Sequence, residues 1–218
     1  MRPDWFPNWS GAAAVVASGP SAKNANVAAL RGRMPVIAIK ESNELCPWAD
    51  VVYGCDPAWW QFRNGLPNYQ GLKVSWEGSS LPQFKDIKRI AIDKSQDEIY
   101  PVERRRYRMI FDTPGTVGGG GNSGFQAVNL AVQFGATKLL LIGFDMHDRS
   151  GVHWYGRNGW ARGGNPDESC FVRWRRDFAV AAKDLEERGV QVVNASPFSA
   201  MTCFGLSTVE KTIVGWGL

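Results

Sequence analysis

Histidine and cysteine are scarce in this chain of 218 residues, which holds two of the first and four of the second. Cys46, Cys55, Cys170 and Cys203 lie far apart without a C-x-x-C pair. That spacing argues against a zinc site or a disulfide framework and leaves small buried thiols as the expectation. Long apolar runs are missing as well. Nothing approaches the roughly 18–20 apolar residues that a bilayer span needs. The opening MRPDWFPNWSG sets Pro and Trp ahead of any apolar stretch. The alanine–valine run behind it is short and leads into Gly-Pro-Ser, which reads as a buried strand rather than a signal peptide. Charge is nearly balanced: 25 Lys and Arg against 21 Asp and Glu leave a net +4. Such a surface tolerates anionic ligands such as nucleotides without singling out nucleic acid. No internal repeat is present.

What the chain has in excess is glycine, 24 residues, and tryptophan, 10 residues. Hydrophobic residues at 44% and charged residues at 21% exclude general disorder. The length fits one domain, residues 1–218, at about 100–200 residues per domain. Strand-like runs recur at Ala12 to Ser18, Pro35 to Lys40, Asp50 to Asp56, Lys138 to Asp145 and Val190 to Asn194. Runs apolar on both faces suit parallel strands covered by helices on each side. Between them, Asn122 to Gly135 sets Phe125, Val128, Leu130, Val132 and Phe134 largely on one side, with Gly135 as the stop. Phe171 to Arg188 repeats the pattern with Phe171, Trp174, Phe178, Ala181, Ala182 and Leu185, and Gly189 follows as a cap. The rhythm predicts an α/β fold, one Rossmann-like domain with a mostly parallel sheet flanked by helices. Two stretches break it. Residues 57–115 mix Trp, Gly and Pro with shorter strands at Leu72 to Trp76 and Arg89 to Asp93. Residues 146–168, rich in Gly, Arg and aromatics, are too long for an ordinary connection and read as an active-site lid.

Four short motifs sit where strands end. Gly19-Pro20-Ser21 follows the first strand, where a glycine lets backbone approach a phosphate and Ser21 can cap a helix. An ordinary strand-to-helix turn explains it equally well, and it is neither a Walker A loop nor a dinucleotide fingerprint. Gly118 to Gly121 precede Asn122, Ser123 and Gly124 at a helix start. Four glycines remove side-chain bulk there, and a linker would not end in an Asn-Ser cap, so a ligand-holding turn is the expectation. The strand ending in Asp145 leads to His147, and His153 follows within the same seven-residue stretch. Their spacing matches no tetrahedral metal site, so one histidine acting as a general base is the better reading. Asp56 ends the third strand ahead of Trp59 and Trp60, where it can bind a ribose or acceptor hydroxyl while the indoles stack on a ring or fill the core. The arginines at 104–106, 108, 173, 175 and 176 read as solvated faces, with one or two near the glycine-rich turn available to a leaving phosphate.

In this order, a first-strand G-P-S turn, an N-S-G helix start and a strand ending G-x-D with a histidine soon after, the chain resembles the DUF115 (MptE-like) superfamily. The likeness covers roughly residues 10 to 205, and is nearest to phage-encoded members with strings similar to PWADVVYGCDPAWW, NSGFQAVNLAVQFGATKLLLIGFDMH and G-x-HW. That superfamily includes archaeal pterin diphosphokinase-like proteins and is similar to the sialyltransferases of glycosyltransferase family 42. The resemblance implies that Gly19, Pro20 and Ser21 lie against a nucleotide, and that Asn122, Ser123 and Gly124 hold it or its phosphate. It also implies that Asp145 sits at the base of the cleft and that His153 is the general base. The chain departs from the family at the end of the second strand, where Lys40 stands in place of an Asn and Asn43 follows three residues on. The activity implied is transfer of a sugar from a nucleotide-sugar to a hydroxyl acceptor, a modified DNA base or a glycan, in the cytoplasm of a phage-infected cell. The alternatives are Mg²⁺-dependent diphosphate transfer from ATP and a non-catalytic nucleotide-binding module.

Overall fold

The computed structural model describes every residue except Ser79, Ser80 and Arg162, the last of which falls inside the 146–168 loop. Its first strand, β1 (Ala12–Val16), shows why the sequence reads as it does. Ala13 and Val15 face one apolar cluster, Ala14 and Val16 another, so both faces of the strand are buried and no polar alternation survives. The same holds for β2 (Val36–Ile39) and β3 (Val51–Tyr53). The remaining strands are β4 (Leu72–Trp76), β5 (Lys88–Asp93), β6 (Thr116–Gly118), β7 (Lys138–Ile142), β8 (Gln191–Asn194) and β9 (Gly205–Leu206). All neighbours pair in parallel in the order β6-β5-β4-β3-β2-β1-β7-β8-β9. The fold is therefore α/β, and its sheet is parallel throughout the described residues.

Among the described residues, five α-helices complete it: α1 (Pro57–Phe62), α2 (Ser95–Ile99), α3 (Ser123–Phe134), α4 (Glu168–Glu187) and α5 (Val209–Trp216). Helices α3 and α4 cover one face of the sheet through Phe125, Phe134 and Phe178. The other face is closed by 3-10 turns after β1, by Trp59 and Trp60 of α1 and by Val209 and Ile213 of α5. No helix among the described residues is long and apolar enough to cross a membrane. Trp5 and Trp9 pack with Phe6 around Phe134 at the end of α3.

Helix α3 is buried on almost every side, beyond the single apolar face that its spacing predicts. The reason is a polar row, Gln126, Asn129 and Gln133, at helical spacing. Asn129 Oδ1 accepts from Ile110 N and Gly118 N, both at 2.9 Å, and its Nδ2 donates to Ile110 O at 2.7 Å. Gln133 Nε2 donates to Thr116 O at 2.6 Å while its Oε1 accepts from Gly115 N at 2.9 Å. These bonds serve backbone groups that would otherwise be buried without partners, and they hold β6 in place as an edge strand. The sequence reading placed Gly118 in a turn; this row makes it the last residue of a strand.

The chain works outward from β1 to β6 on one side of the sheet, then returns through α3 to β7 on the other side of β1. Strand order reverses between β1 and β7, and in open parallel sheets such a reversal leaves a crevice beyond the carboxyl ends of the two strands.

Candidate functional site

The crevice is built first by backbone. Ala17 N donates to Ile142 O at 2.7 Å and Gly19 N to Gly143 O at 2.9 Å, joining the exits of β1 and β7. A Cβ at Gly19 would overlap the Asp145 carboxylate and the Gly143 carbonyl, so only glycine fits. Asp145 accepts from Ser21 Oγ at 2.8 Å and from Ser21 N at 3.3 Å. Burial pushes its carboxyl up, and the bonds from Ser21 oppose the shift. Asp145 thus fixes the first-strand turn as well as flooring the crevice. Ser21 spends its hydroxyl on this bond and does not cap a helix, and the short 3-10 turn behind it starts at Pro20 with Gly19 as its cap. From the far side, Ser196 Oγ accepts from Phe144 N at 2.7 Å and Ala200 N donates to Asp145 O at 2.8 Å.

The two histidines differ in what they have left to offer. His147 is buried, with Nδ1 accepting from Arg149 N at 3.2 Å and Nε2 donating to Phe198 O at 3.2 Å. Both nitrogens are committed to shaping the loop, so His147 is not poised as a base. His153 bonds Ser18 Oγ through Nδ1 at 3.1 Å, and its Nε2 is buried with no partner among the described residues. Burial, aided by the positive charges of Lys40 and Arg157, lowers its pKa to about 4, so the ring is neutral at pH 7.

At the end of β2, Lys40 adopts a φ of 49°, and Asn43 Nδ2 donates to its carbonyl at 2.6 Å. Asn43 therefore shapes the backbone of Lys40 and does not itself reach the cavity. The Lys40 ammonium pairs with Asp56 and lies 5.6 Å from the ring centre of Trp160. Burial alone would lower its pKa, but Asp56 and the neighbouring Cys55 outweigh burial and raise it.

The third wall is the start of α3. Asn122 Oδ1 accepts from Phe125 N at 2.8 Å, the cap that the sequence predicts. Ser123 Oγ lies 3.3 Å from Cys55 Sγ, and burial holds that thiol up in pKa. The glycine run has two separate causes. Gly118 and Gly119 pack where a Cβ would strike Arg108 O and the Tyr107 ring, and of the four only Gly121 reaches the ligand space. Residues 119–124 also carry the G-x-G-x-x-G spacing between a strand and a helix, a signal that sequence reading passed over. The dinucleotide unit that this spacing marks elsewhere needs adjacent strands. Here five strands separate β6 from β7, so the unit is absent.

Together these walls enclose a cavity of about 330 Å³. Gly19, Lys40, Asp56, Asp145, His147 and His153 line it, as do Gly121, Asn122, Ser123 and Gly124. Pro20, Ser21 and Asn43 do not. Trp59 and Trp60 are wholly buried in the core beneath α1, with Trp60 Nε1 donating to Gly54 O at 2.8 Å, and present no face for stacking. The aromatic wall instead comes from Tyr155, Trp160, Phe171 and Trp174. Sequence periodicity had assigned the last two to the core face of α4, whose first turn overhangs the crevice; Trp174 Nε1 donates to Gly121 O at 3.1 Å. Trp154 lies behind this wall, its backbone N bonded to Ser18 O at 2.9 Å. No arginine among the described residues lines the cavity. Arg108 pairs with Asp184, and Arg175 is held by Met146 O and Glu168. Of the four thiols expected to be buried, Cys46 is, and burial pushes it up to about 12; Cys55, Cys170 and Cys203 are half-buried, and Cys55 and Cys170 line the cavity.

No family model matches this chain, and neither a curated protein nor a solved structure matches it. The class it belongs to is therefore set by the fold and the site: a parallel α/β protein whose switch-point cavity is lined by aromatic and polar side chains.

Proposed function

We propose that this protein is a nucleotide-dependent transferase of the glycosyltransferase kind, moving a sugar from a nucleotide-activated donor to a hydroxyl acceptor. One observation carries the reading: a helix N-terminus, an ammonium and an unpartnered imidazole nitrogen converge on the switch-point crevice. The free N–H groups of the first turn of α3 and the Lys40 ammonium favour negative charge, which gathers on the leaving phosphate during transfer. His153 is neutral and can take a proton from the attacking hydroxyl. A base held near 4 is weak, and the positive charges of Lys40 and Arg157 contribute to that. A bound phosphate would offset both and raise His153 toward the range where proton transfer is efficient. Base strength would then rise only when the donor is in place.

Trp160, Phe171 and Trp174 supply an apolar wall for a base or sugar ring. A cavity of about 330 Å³ stands at the small end of ligand sites, roughly 300–1,000 Å³. A whole nucleotide-sugar is a tight fit, and Nε2 of His153 is sealed from solvent. The 146–168 loop must therefore shift to admit the donor, and its closure would keep water from hydrolysing it. Diphosphate transfer from ATP would instead need carboxylates free to share Mg²⁺. Asp145 is engaged by Ser21 and Asp56 by Lys40, and among the described residues no three His, Cys, Asp or Glu gather as a metal-holding group.

The test is a thermal-shift screen of CMP-, UDP-, GDP- and ADP-linked sugars beside ATP, with and without Mg²⁺. A cognate donor at a hundredfold excess over its Kd stabilises the fold by about 2.7 kcal/mol. Stabilisation by one nucleotide-sugar without Mg²⁺ supports the reading. Stabilisation by ATP only with Mg²⁺ moves it to diphosphate transfer, and silence across the panel overturns it.

A further inference from the structure

We infer that Arg106, Arg173 and Arg176 form an anion site outside the cavity, on the flank of α4, and that it takes a phosphate group. Under the transferase reading, on which this last step rests, the phosphate belongs to the acceptor, because the cavity is occupied by the donor.

The cluster is assembled by a single carbonyl and one helix face. Arg176 Nη1 donates to Glu103 O at 2.7 Å, and Arg106 Nη1 donates to the same oxygen at 3.1 Å, so two cations stand side by side. Arg173 precedes Arg176 by three residues on α4, which puts both on one face of the helix, and its Nη2 meets Cys170 Sγ at 3.3 Å. Burial, followed by the charges of Arg106 and Arg173, lowers the pKa of the Arg176 guanidinium. Arg106 is exposed, and Arg176 borders a surface groove lined also by Arg108, Lys183, Asp184 and Glu187, so an anion has access from solvent. Cys170, one turn ahead of Arg173, lines the cavity. A phosphate on the arginines would therefore sit beside the rim and outside the donor space.

Neighbouring arginines show what this cluster lacks. Arg105 pairs with Asp97, Arg108 with Asp184 and Arg175 with Glu168, whereas no carboxylate among the described residues pairs with Arg106 or Arg173. Two acids lie near. Glu103 is exposed and in no ion pair among the described residues. Asp177 is buried, with Oδ1 4.0 Å from Arg176 Nε and accepting from Tyr107 N at 3.4 Å, and burial pushes its carboxyl up to about 7. It thus carries only part of a charge near pH 7, against three guanidiniums. Arg176 Nε is itself buried with no hydrogen-bond partner among the described residues. Gathered like charges repel, and an unserved buried donor is a cost, so an anion here offsets the first and can accept from the second. Phosphate suits the site because its several oxygens accept from more than one guanidinium at once.

The full-length protein is titrated at low salt, without any donor, with inorganic phosphate by calorimetry and with a fluorescein-labelled oligodeoxythymidylate strand by anisotropy. At least one should bind, and Arg106→Gln should weaken it by about tenfold through loss of a charge-assisted contact. Arg173→Gln is the second variant, should Arg106→Gln fail to fold. Arg33→Gln removes an exposed charge ahead of β2, at the end of the sheet away from the crevice, and should leave binding unchanged. Lys40→Gln, in the cavity, should keep the arginine-dependent binding. A strand bound more tightly than phosphate, with the same dependence on Arg106, makes the source a nucleic-acid phosphodiester. Phosphate bound alone or as tightly makes it a small phosphorylated acceptor. No binding of either probe, an equal loss in Arg33→Gln, a loss confined to Lys40→Gln, or no loss in whichever arginine variant folds overturns the inference. None of these titrations needs a nucleotide-sugar, so failure of the nucleotide screen and failure of this site are separate results.

Discussion

At the scale of single residues, the site is a set of side chains whose partners leave one group unspent. Asp145, His147 and Ser21 have chemistry that would suit catalysis, but Asp145 and Ser21 bond each other across the β1 and β7 exits, and His147 is bonded at both nitrogens, to Arg149 N and Phe198 O. His153 is the exception, and its titration is measurable. Burial, with Lys40 and Arg157, lowers it from 6.5 to about 4, so between those values the unfolded chain binds a proton that the folded chain does not. Stability should therefore fall as pH drops from 6.5 toward 4 and lose no more from this group below that. His153→Gln removes the contribution, and its stability relative to the parent should rise by roughly 1–3 kcal/mol across that window. Urea unfolding of both proteins at pH 7, 5.5 and 4 checks it; parallel pH profiles would show that His153 is not held neutral.

Among the elements, α1 and α3 illustrate how polar atoms on largely buried helices are accommodated. Trp59 and Trp60 are adjacent, wholly buried and in edge-to-face contact at 4.7 Å. Only Trp60 has its Nε1 bonded, to the Gly54 carbonyl beside the cavity-lining Cys55; Nε1 of Trp59 has no partner among the described residues. Trp60→Phe should therefore destabilise by about 1–2 kcal/mol more than Trp59→Phe, the larger loss reflecting a buried carbonyl left without its donor. Chemical denaturation of the two variants side by side reads the difference, and equal losses would mean that cavity volume alone decides. In α3, the Gln126–Asn129–Gln133 row does the equivalent for a longer stretch of backbone. That row lies behind the glycine-rich turn, so the first turn of α3 faces the ligand space from a rigid mount.

For the whole molecule, the long loop is anchored by Met146, His147 and Trp160, which are buried, and by Trp154, which packs against the core and bonds Ser18 O through its backbone N. Between these anchors Arg157 and Gly159 are exposed. Exposed stretches open at lower free energy than the buried points that hold them. A nucleotide-sugar that binds in the crevice should slow hydrogen exchange across residues 146–168 by at least several-fold while leaving β1 and β7 unchanged. Exchange followed by mass spectrometry with and without the donor found in the thermal screen measures this. Protection confined to other segments would show that the loop is no lid.

The sequence by itself determined the layers. Runs such as AAAVV and KLLLI are buried on both sides, and that pattern has few solutions besides a parallel sheet between helices. It also marked the strand ends where Gly19, Lys40, Asp56 and Asp145 stand, because ligands gather at that edge in such sheets. Tertiary structure alone decided which strands are neighbours, and so that β1 and β7 meet to open the crevice. It separated His153 from His147, which no spacing could do, since the difference rests on Ser18, Arg149 and Phe198. It took Trp59 and Trp60 out of the aromatic wall and put Phe171 and Trp174 there, beside the Trp160 that the long loop already offered. Periodicity records that a side chain is apolar and which side of its own element it occupies. Whether that side meets the core or a cavity depends on what the rest of the chain brings against it.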